Sequence, residues 1–253
     1  MQLFISDTFE VKDNIITISD NRIVHQCHTV LKMKSGKKFL LQTKLLRHNK
    51  GDWGNFQSRY TITIDIITKK EIIWHISCIE TNNQWCDKKN KKIVLCIALA
   101  NRMDKIELIV QKLAEIGSHE IIFFPSDRST IREVKEKTLL RLQTIALEAA
   151  EQSFGRHIPK ITHQKSIYHI HKYISEKSEH ILLDHNWDSR EEKKKKVLAW
   201  EKDIYAYIWP EWWFTQEEKN KLQSINAYLV NLWRTNLRME TATIITARLL
   251  LNQ

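Results

Sequence analysis

Residues 93–100 read IVLCIALA, an apolar run without a polar interruption. A strand with one solvated face alternates apolar and polar residues, so a continuous run predicts a strand that is buried on both faces. The next segment has apolar residues at helical spacing from Asp104 onward, and Glu120–Phe124 is a second short apolar strand. Because strands and helices alternate, the sequence predicts a mainly parallel α/β domain over residues 93–253.

The same alternation continues to the end of the chain. Thr215 and Glu218 form a T-x-x-E capping box, which predicts a helix start, and Asp104 with Glu107 is compatible with a variant of that box. Gly117 fits the position just after a helix. Further strands are predicted over His180–Asp184, Ile204–Ile208 and Ala227–Leu232, and further helices over Glu136–Phe154, Ser166–Ser175 and Arg238–Leu251. Ligands of parallel sheets bind beyond the carboxyl ends of strands, so the loops after these strands are the first place to look for a site.

The N-terminal part, residues 1–80, has a different pattern. It contains short segments rich in Ile, Thr and aromatic residues, separated by turn signals, which predict strands. These segments are Asn14–Ile18, Lys38–Leu45, Tyr60–Ile67 and Glu71–Ile79. Apolar residues at helical spacing between Asp20 and Lys34 predict one short helix. We expect a small β-barrel-like domain, joined by a polar linker, residues 81–92, to the domain that begins at residue 93.

The chain is basic. It has 40 Lys and Arg against 30 Asp and Glu, a formal charge of +10. Such an excess favours a polyanionic partner, because cations that neutralise phosphates release condensed counterions. A basic enzyme with a solvated surface is the alternative, and the mixed run over residues 191–196 is typical of solvated surface.

Several function classes are excluded by absent patterns. The four cysteines form no C-x-x-C pair and no zinc-site spacing, so no metal is expected. No glycine-rich dinucleotide motif, P-loop or nucleophile elbow is present. The longest apolar run is far shorter than the roughly 20 residues of a membrane span, and the N-terminus does not read as a signal peptide, so a cytoplasmic protein is expected.

Four linked motifs carry a family resemblance. The segments after two strands read IWPEWWFT at 208–215 and LWRTNLRMETA at 232–242, and two helices carry QKLAEIG at 111–117 and EAAEQS at 148–153. They resemble the RsmE family, whose patterns are I-G-P-E-G-G-F-[ST]-x-x-E, L-G-x-x-I-L-R-x-E-T-A, Q-K-x-x-E-L-G and E-A-x-E-Q-x-x-R. HTVLK at 28–32 is similar to the family's H-x-V-L-R, so the resemblance covers nearly the whole chain.

The resemblance implies both a fold and an activity. Members of the RsmE family methylate N3 of a uridine, conventionally U1498, in 16S ribosomal RNA of the small subunit. The implied fold is a PUA-like β-barrel followed by a SPOUT methyltransferase domain of the α/β class with a trefoil knot. The implied cofactor is S-adenosyl-L-methionine, and the implied assembly is a homodimer.

Site residues follow from the same motifs. The resemblance implies cofactor contacts at Leu183, Ile208, Trp209, Pro210, Glu211, Trp212, Trp213, Leu232, Trp233, Leu237, Arg238, Met239, Thr241 and Ala242. Candidates for RNA contact are the cations Arg102, Lys105, Lys112, Arg128 and Arg156, each of which is equally compatible with ordinary surface charge.

Arg238 and Glu240 are the candidate catalytic residues. Uracil N3 carries a proton, so methylation there needs a base or a cation that favours the anion. Arg238 is expected to provide the cation, and Glu240 to orient it or to take part in proton transfer. The alternative for Glu240 is a structural carboxylate at the start of the last helix.

Tryptophan stands where the family has glycine. This holds at Trp209, Trp212, Trp213 and Trp233, and the whole chain has 9 Trp but only 5 Gly. An indole there would fill the adenosine pocket, because glycine lets the backbone approach the cofactor. One explanation is a degenerate homologue that binds RNA without cofactor. The other, which we favour, is a gene that uses UGA as a glycine codon; converting all nine would raise glycine to about 5.5%, near the usual range.

Two further functions remain open beside rRNA methylation. A SPOUT enzyme acting on another RNA, such as transfer RNA, has the same fold, but the combination of P-E and R-x-E-T-A motifs argues against it. A non-catalytic RNA-binding dimer is favoured if the tryptophans are genuine.

Overall fold

The computed structural model describes residues 2–6, 9–12, 15–43, 58–81, 92–155, 158–171, 178–183, 201–209, 214–230 and 237–251. Two compact units divide the chain, residues 1–88 and residues 89–253. The expected linker at 81–92 is described only at its two ends, and Thr81 is the last residue of a strand. None of the helices in these ranges is long and apolar enough to cross a membrane.

The first unit is a six-stranded, barrel-like sheet in the order β1-β4-β5-β6-β3-β2. Its strands are β1 Leu3–Ser6, β2 Phe9–Lys12, β3 Ile15–Ile18, β4 Lys38–Thr43, β5 Ser58–Ile67 and β6 Ile72–Thr81. Only the β1–β4 pair is parallel. The sequence predicted β3 to β6 but missed β1 and β2, which are four residues each and too short to show a clear period.

Aromatic rings fill the interior of this sheet. Phe39 packs edge-on against Phe4, with ring centroids 5.2 Å apart, and against Trp74 at 4.0 Å. All three side chains are fully buried. The predicted helix is present as α1, Asn21–His25, which Asp20 caps by accepting the Arg22 N–H at 3.0 Å. It continues as a π-helical turn over Gln26–Val30, which the sequence pattern did not show.

The second unit contains a six-stranded sheet in the order β12-β10-β11-β7-β8-β9. Every pairing in it is parallel. The strands are β7 Ile93–Ala98, β8 Glu120–Phe124, β9 Lys160–His163, β10 Glu179–Leu183, β11 Ile204–Ile208 and β12 Tyr228–Val230. All six residues of β7 are buried, as the apolar run predicts. The predicted α/β class is therefore confirmed.

Helices cover this sheet. They are α2 Met103–Ile116, α3 Glu136–Gln152, α4 Ile167–His171, α5 Gln216–Ser224 and α6 Met239–Leu251. Gly117 ends α2 with a left-handed φ of 88°, as predicted. The capping box at Asp104 was wrong: Arg102 occupies the cap position, and its guanidinium holds the Asp104 carboxylate at 2.6 Å. Residues 184–200, which include the charged run at 191–196, and residues 231–236 lie outside the described residues, so the expected knot stays a prediction.

Candidate functional site

The C-terminal edge of the parallel sheet brings together three strand ends, two of which are followed by the motif segments. Leu183, Ile208 and Val230 are the last residues of β10, β11 and β12. These strands are neighbours, since β10 pairs with both β11 and β12. Three parallel strands that end side by side create a crevice beyond their carboxyl ends, where such sheets bind ligands.

The predicted cofactor residues fall partly within the described residues. Those outside are Pro210, Glu211, Trp212, Trp213, Leu232 and Trp233. Those within are Leu183, Ile208, Trp209, Leu237, Arg238, Met239, Thr241 and Ala242. Because the strands that carry Leu183 and Ile208 are adjacent, and Val230 ends the strand beside Leu183, the structure brings these segments to one edge.

Both ends of the four-residue segment 210–213 are anchored. Trp209 directly follows β11 and is 2% exposed, within the apolar core of this unit. Phe214 is 5% exposed and stacks on Phe124, with ring centroids 6.3 Å apart. The positions at which this motif segment enters and leaves the core are therefore fixed.

Glu218 secures the start of α5. The Thr215 hydroxyl accepts the Glu218 N–H at 3.2 Å, and Glu218 Oε2 accepts the Thr215 N–H at 2.9 Å, so the predicted capping box is confirmed. The Glu218 side chain is buried, and this desolvation raises the pKa of its carboxyl against the opposing effect of the hydrogen bonds it accepts.

The loop after β8, residues 125–132, contacts the same carboxylate. Glu218 Oε1 accepts the Asp127 N–H at 3.0 Å, and Thr215 Oγ1 donates to Asp127 Oδ2 at 3.1 Å. Arg132 holds the loop from within, because its guanidinium donates to the carbonyls of Ser126 and Asp127, both at 2.8 Å. No sequence motif pointed to Asp127 or Arg132.

The same loop is attached to the end of β7. Ser129 Oγ donates to the Leu99 carbonyl at 2.9 Å, and the Thr130 N–H donates to Asn101 Oδ1 at 3.1 Å. The loop therefore reaches from β8 across the end of β7 toward α5, which follows β11.

The candidate catalytic residues lie at the start of α6. Arg238 is exposed, and its carbonyl accepts the Ala242 N–H at 2.8 Å. Glu240 lies in the first turn, where one carboxylate oxygen, Oε2, is buried and has no hydrogen-bond partner among the described residues. Within the same residues no ion pair joins Glu240 to Arg238, and the orientation of Arg238 by Glu240 stays a prediction.

The candidate RNA contacts differ in their surroundings. Arg102 is in an exposed ion pair with Asp104, and Lys112 pairs with Glu115 at 2.8 Å. Lys105 is half-buried on α2, whereas Arg128 is exposed on the loop after β8. Arg156 lies outside the described residues. In the part of the chain that the structure describes, no group of His, Cys, Asp and Glu could hold a metal ion.

The chain is similar to curated methyltransferases. It is 32% identical over 92 residues to ribosomal RNA small subunit methyltransferase E of Bacillus subtilis, a match that spans 34% of this chain and 35% of that relative's own length. It is 29% identical over 178 residues to ribosomal RNA small subunit methyltransferase E 1 of Borreliella burgdorferi, covering 65% of this chain and 70% of the relative.

Solved structures share the fold over the whole chain. The ribosomal RNA small subunit methyltransferase E from Neisseria gonorrhoeae, bound to S-adenosyl methionine, has a TM-score of 0.76 at 20% identity and covers 98% of this chain and 95% of its own. A methyltransferase from Legionella pneumophila, in complex with the same cofactor, has a TM-score of 0.80 at 21% identity, covering 99% and 96%.

A family model supplies the assignment. The model described as "RNA methyltransferase domain" matches residues 87–251, which contain the whole parallel sheet and its helices. Together with the curated relatives, it confirms the resemblance inferred from the four motifs. The chain belongs to the RNA methyltransferase domain family, as a relative of the RsmE enzymes.

Proposed function

We propose that this protein methylates N3 of one uridine, conventionally U1498, in small-subunit ribosomal RNA, with S-adenosyl-L-methionine as methyl donor. The observation that carries the proposal is that β11 and β12, whose ends lead into the two motif segments, flank β10 at one edge of a sheet that belongs to the RNA methyltransferase domain family. The names of the curated relatives and the cofactor bound to two structural neighbours support it. The expected trefoil knot, homodimer and cytoplasmic location are parts of the same proposal.

The start of α6 has room for a ligand that donates a hydrogen bond. Buried Glu240 Oε2 is an acceptor without a partner among the described residues, at the start of the helix that follows the second motif. A buried acceptor that is left unpaired costs about 1–3 kcal/mol, so a ligand that donates there is stabilised. Residues of the segments at 208–215 and 232–242 would hold the cofactor, which supplies an activated methyl group when bound.

Arg238 and Glu240 would act on the uracil. The guanidinium of Arg238 is exposed at the start of α6, and a cation there stabilises negative charge on the uracil oxygens as N3 loses its proton. Glu240 would orient Arg238 or take part in proton transfer. Methyl transfer depends mainly on placement, so small displacements of these groups have large effects.

A methylation assay tests the proposal. Small ribosomal subunits from a strain that lacks the enzyme are incubated with labelled S-adenosylmethionine, and the modified nucleoside is identified by mass spectrometry. We expect 3-methyluridine, and we expect Arg238→Ala to reduce its formation at least about 100-fold, the size typical of a lost transition-state contact. Arg248→Ala, an exposed arginine on the same helix, is the matched control and should retain activity.

The assay uses two forms of the protein, because the tryptophans affect the pocket. One is the chain as written, and the other has glycine at positions 209, 212, 213 and 233. Methylation at a different base, or of transfer RNA alone, would refute the N3 assignment. Absence of any methyl transfer by the glycine form would defeat the enzymatic proposal.

The second candidate function is RNA binding without catalysis. The burial of Trp209 favours it, because an indole that is 2% exposed is accommodated by the core of this structure. The codons separate the two candidates: UGA at the four positions supports an active enzyme, whereas UGG supports the binding protein.

A further inference from the structure

Glu218 holds two distant parts of the chain through one carboxylate. It is 3% exposed, and each of its two oxygens accepts a different backbone N–H. Oε2 accepts from Thr215 and Oε1 from Asp127, which lies 91 residues earlier. The side chain thereby joins the start of α5 to the loop after β8.

Further hydrogen bonds hold the loop after β8. The guanidinium of Arg132 donates to two of its carbonyls, and Ser129 Oγ donates to the Leu99 carbonyl. Among these fixed residues, Arg128 is exposed. The contacts of neighbouring residues therefore determine the position of the Arg128 backbone. One of these contacts is the hydrogen bond that the Asp127 N–H donates to Glu218.

We propose that Glu218 is a positioning residue, which fixes the loop after β8 so that Arg128 meets a backbone phosphate of the bound RNA. This inference rests on the proposed function, because it requires RNA at the C-terminal edge of the sheet. Glu218 itself is buried and does not touch the RNA; it acts through the Asp127 N–H. A preplaced arginine loses less conformational freedom on binding than a mobile one.

Only a carboxylate satisfies both donors. Glutamine has the same length but a single acceptor oxygen, so Glu218→Gln would leave one of the two N–H groups facing an NH₂ donor. Since the Glu218 side chain is only 3% exposed, an NH₂ group facing an N–H there is unfavourable and the loop is expected to move away. Glu217→Gln is the matched control, because Glu217 is exposed in the same turn of α5.

Salt-dependent RNA binding tests the proposal without any methyl transfer. Affinity for a fragment of small-subunit ribosomal RNA is measured by filter binding over a range of salt concentrations. Loss of one phosphate contact reduces the slope of log K against log salt by about 1. We expect this reduction for Arg128→Ala and for Glu218→Gln, with no further reduction in the double variant, while Glu217→Gln keeps the wild-type slope.

Amide exchange gives a second readout in case the glutamine variant folds poorly. The N–H of Asp127 should exchange faster in Glu218→Gln than in the wild type and in Glu217→Gln. Additive reductions in the double variant, or an unchanged slope in a folded Glu218→Gln protein, would overturn the proposal. So would a wild-type chain without salt-dependent RNA binding. RNA binding with the expected slopes but no methylation would defeat the enzymatic function alone.

Discussion

The rings of Phe124 and Phe214 lie within 11° of parallel, and their centroids are 6.3 Å apart. Phe124 ends β8, whereas Phe214 lies after β11, and β7 separates these two strands in the sheet. The stack is thus an apolar counterpart to the hydrogen bonds of Glu218, since both join the region after β11 to the region after β8.

Removal of the Phe214 ring is expected to destabilise this unit. Phe214→Ala should lower the free energy of unfolding by about 3–5 kcal/mol, because the lost ring leaves a cavity against Phe124. Urea denaturation measures the change. Leu140→Ala is the control, since Leu140 is 63% exposed and its truncation should cost less than about 0.5 kcal/mol. Equal losses in the two variants would contradict the proposed packing role.

The tryptophans of the motif segments are expected to block cofactor binding. Calorimetry with S-adenosylmethionine should detect little or no binding by the chain as written, because an indole at a glycine position fills space that the backbone needs for close approach. The variant with glycine at positions 209, 212, 213 and 233 should bind. Normal affinity of the chain as written would refute the steric argument.

Trp74 is expected to behave differently from the motif tryptophans. Its indole is fully buried and packs 4.0 Å from the Phe39 ring centroid. Trp74→Gly should therefore lower the free energy of unfolding by at least about 3–5 kcal/mol, as large-to-small changes in a core do. Trp74→Phe should lower it less. A stable Trp74→Gly protein, measured by thermal denaturation, would instead extend glycine recoding to this position.

Alkaline pH is expected to destabilise the second unit through Tyr205. Burial raises the pKa of Tyr205 from 10.0 to about 12. The Tyr205 hydroxyl ionises at a lower pH in the unfolded chain than in the folded one. Its contribution to the free energy of unfolding is therefore fully present below pH 10 and is lost as the pH rises toward 12. Urea unfolding across this range should show a fall in stability that Tyr205→Phe reduces. Tyr168→Phe, which alters an exposed tyrosine, should leave the fall unchanged.

Two threonines of α6 provide a matched pair. Thr246 Oγ1 is buried without a hydrogen-bond partner among the described residues, whereas Thr243 Oγ1 donates to the Met239 carbonyl at 2.8 Å. Thr246→Val should raise the free energy of unfolding by about 1 kcal/mol, because it removes a desolvated hydroxyl at constant shape. Thr243→Val should not. The two proteins are compared by urea denaturation, and an equal effect would contradict the difference in hydrogen bonding.

Local patterns predicted the parts of the fold that local forces determine. Glu120–Phe124 and Ile204–Ile208 are strands with the predicted bounds, because four of the five residues in each are buried, as a short, mostly apolar strand in a covered parallel sheet requires. Gly117 ends its helix because glycine adopts a positive φ without strain. Lys160–His163 was missed, since it is a four-residue edge strand with an exposed lysine and no apolar run.

The candidate site was only partly predictable, because local patterns show its local features and not its long-range contacts. The capping box of Thr215 and Glu218 spans four consecutive residues and is therefore visible in the sequence. Its link to Asp127 spans 91 residues and follows from the strand order, which no periodicity encodes. The Asp104 box was wrong because the helix begins at Met103, which places Asp104 inside the first turn and not at the cap.

The strand order also determines when the sheet can be completed during synthesis. β7 lies between β8 and β11, and its pairing with β11 joins Ile93 to Ile204. While the ribosome makes the intervening residues, one edge of β7 has no partner, although this strand is entirely apolar. Such edges recruit other chains, and long-range pairing is slow. A chain truncated before residue 204 would thus expose an unpaired, fully apolar edge of β7 to other chains.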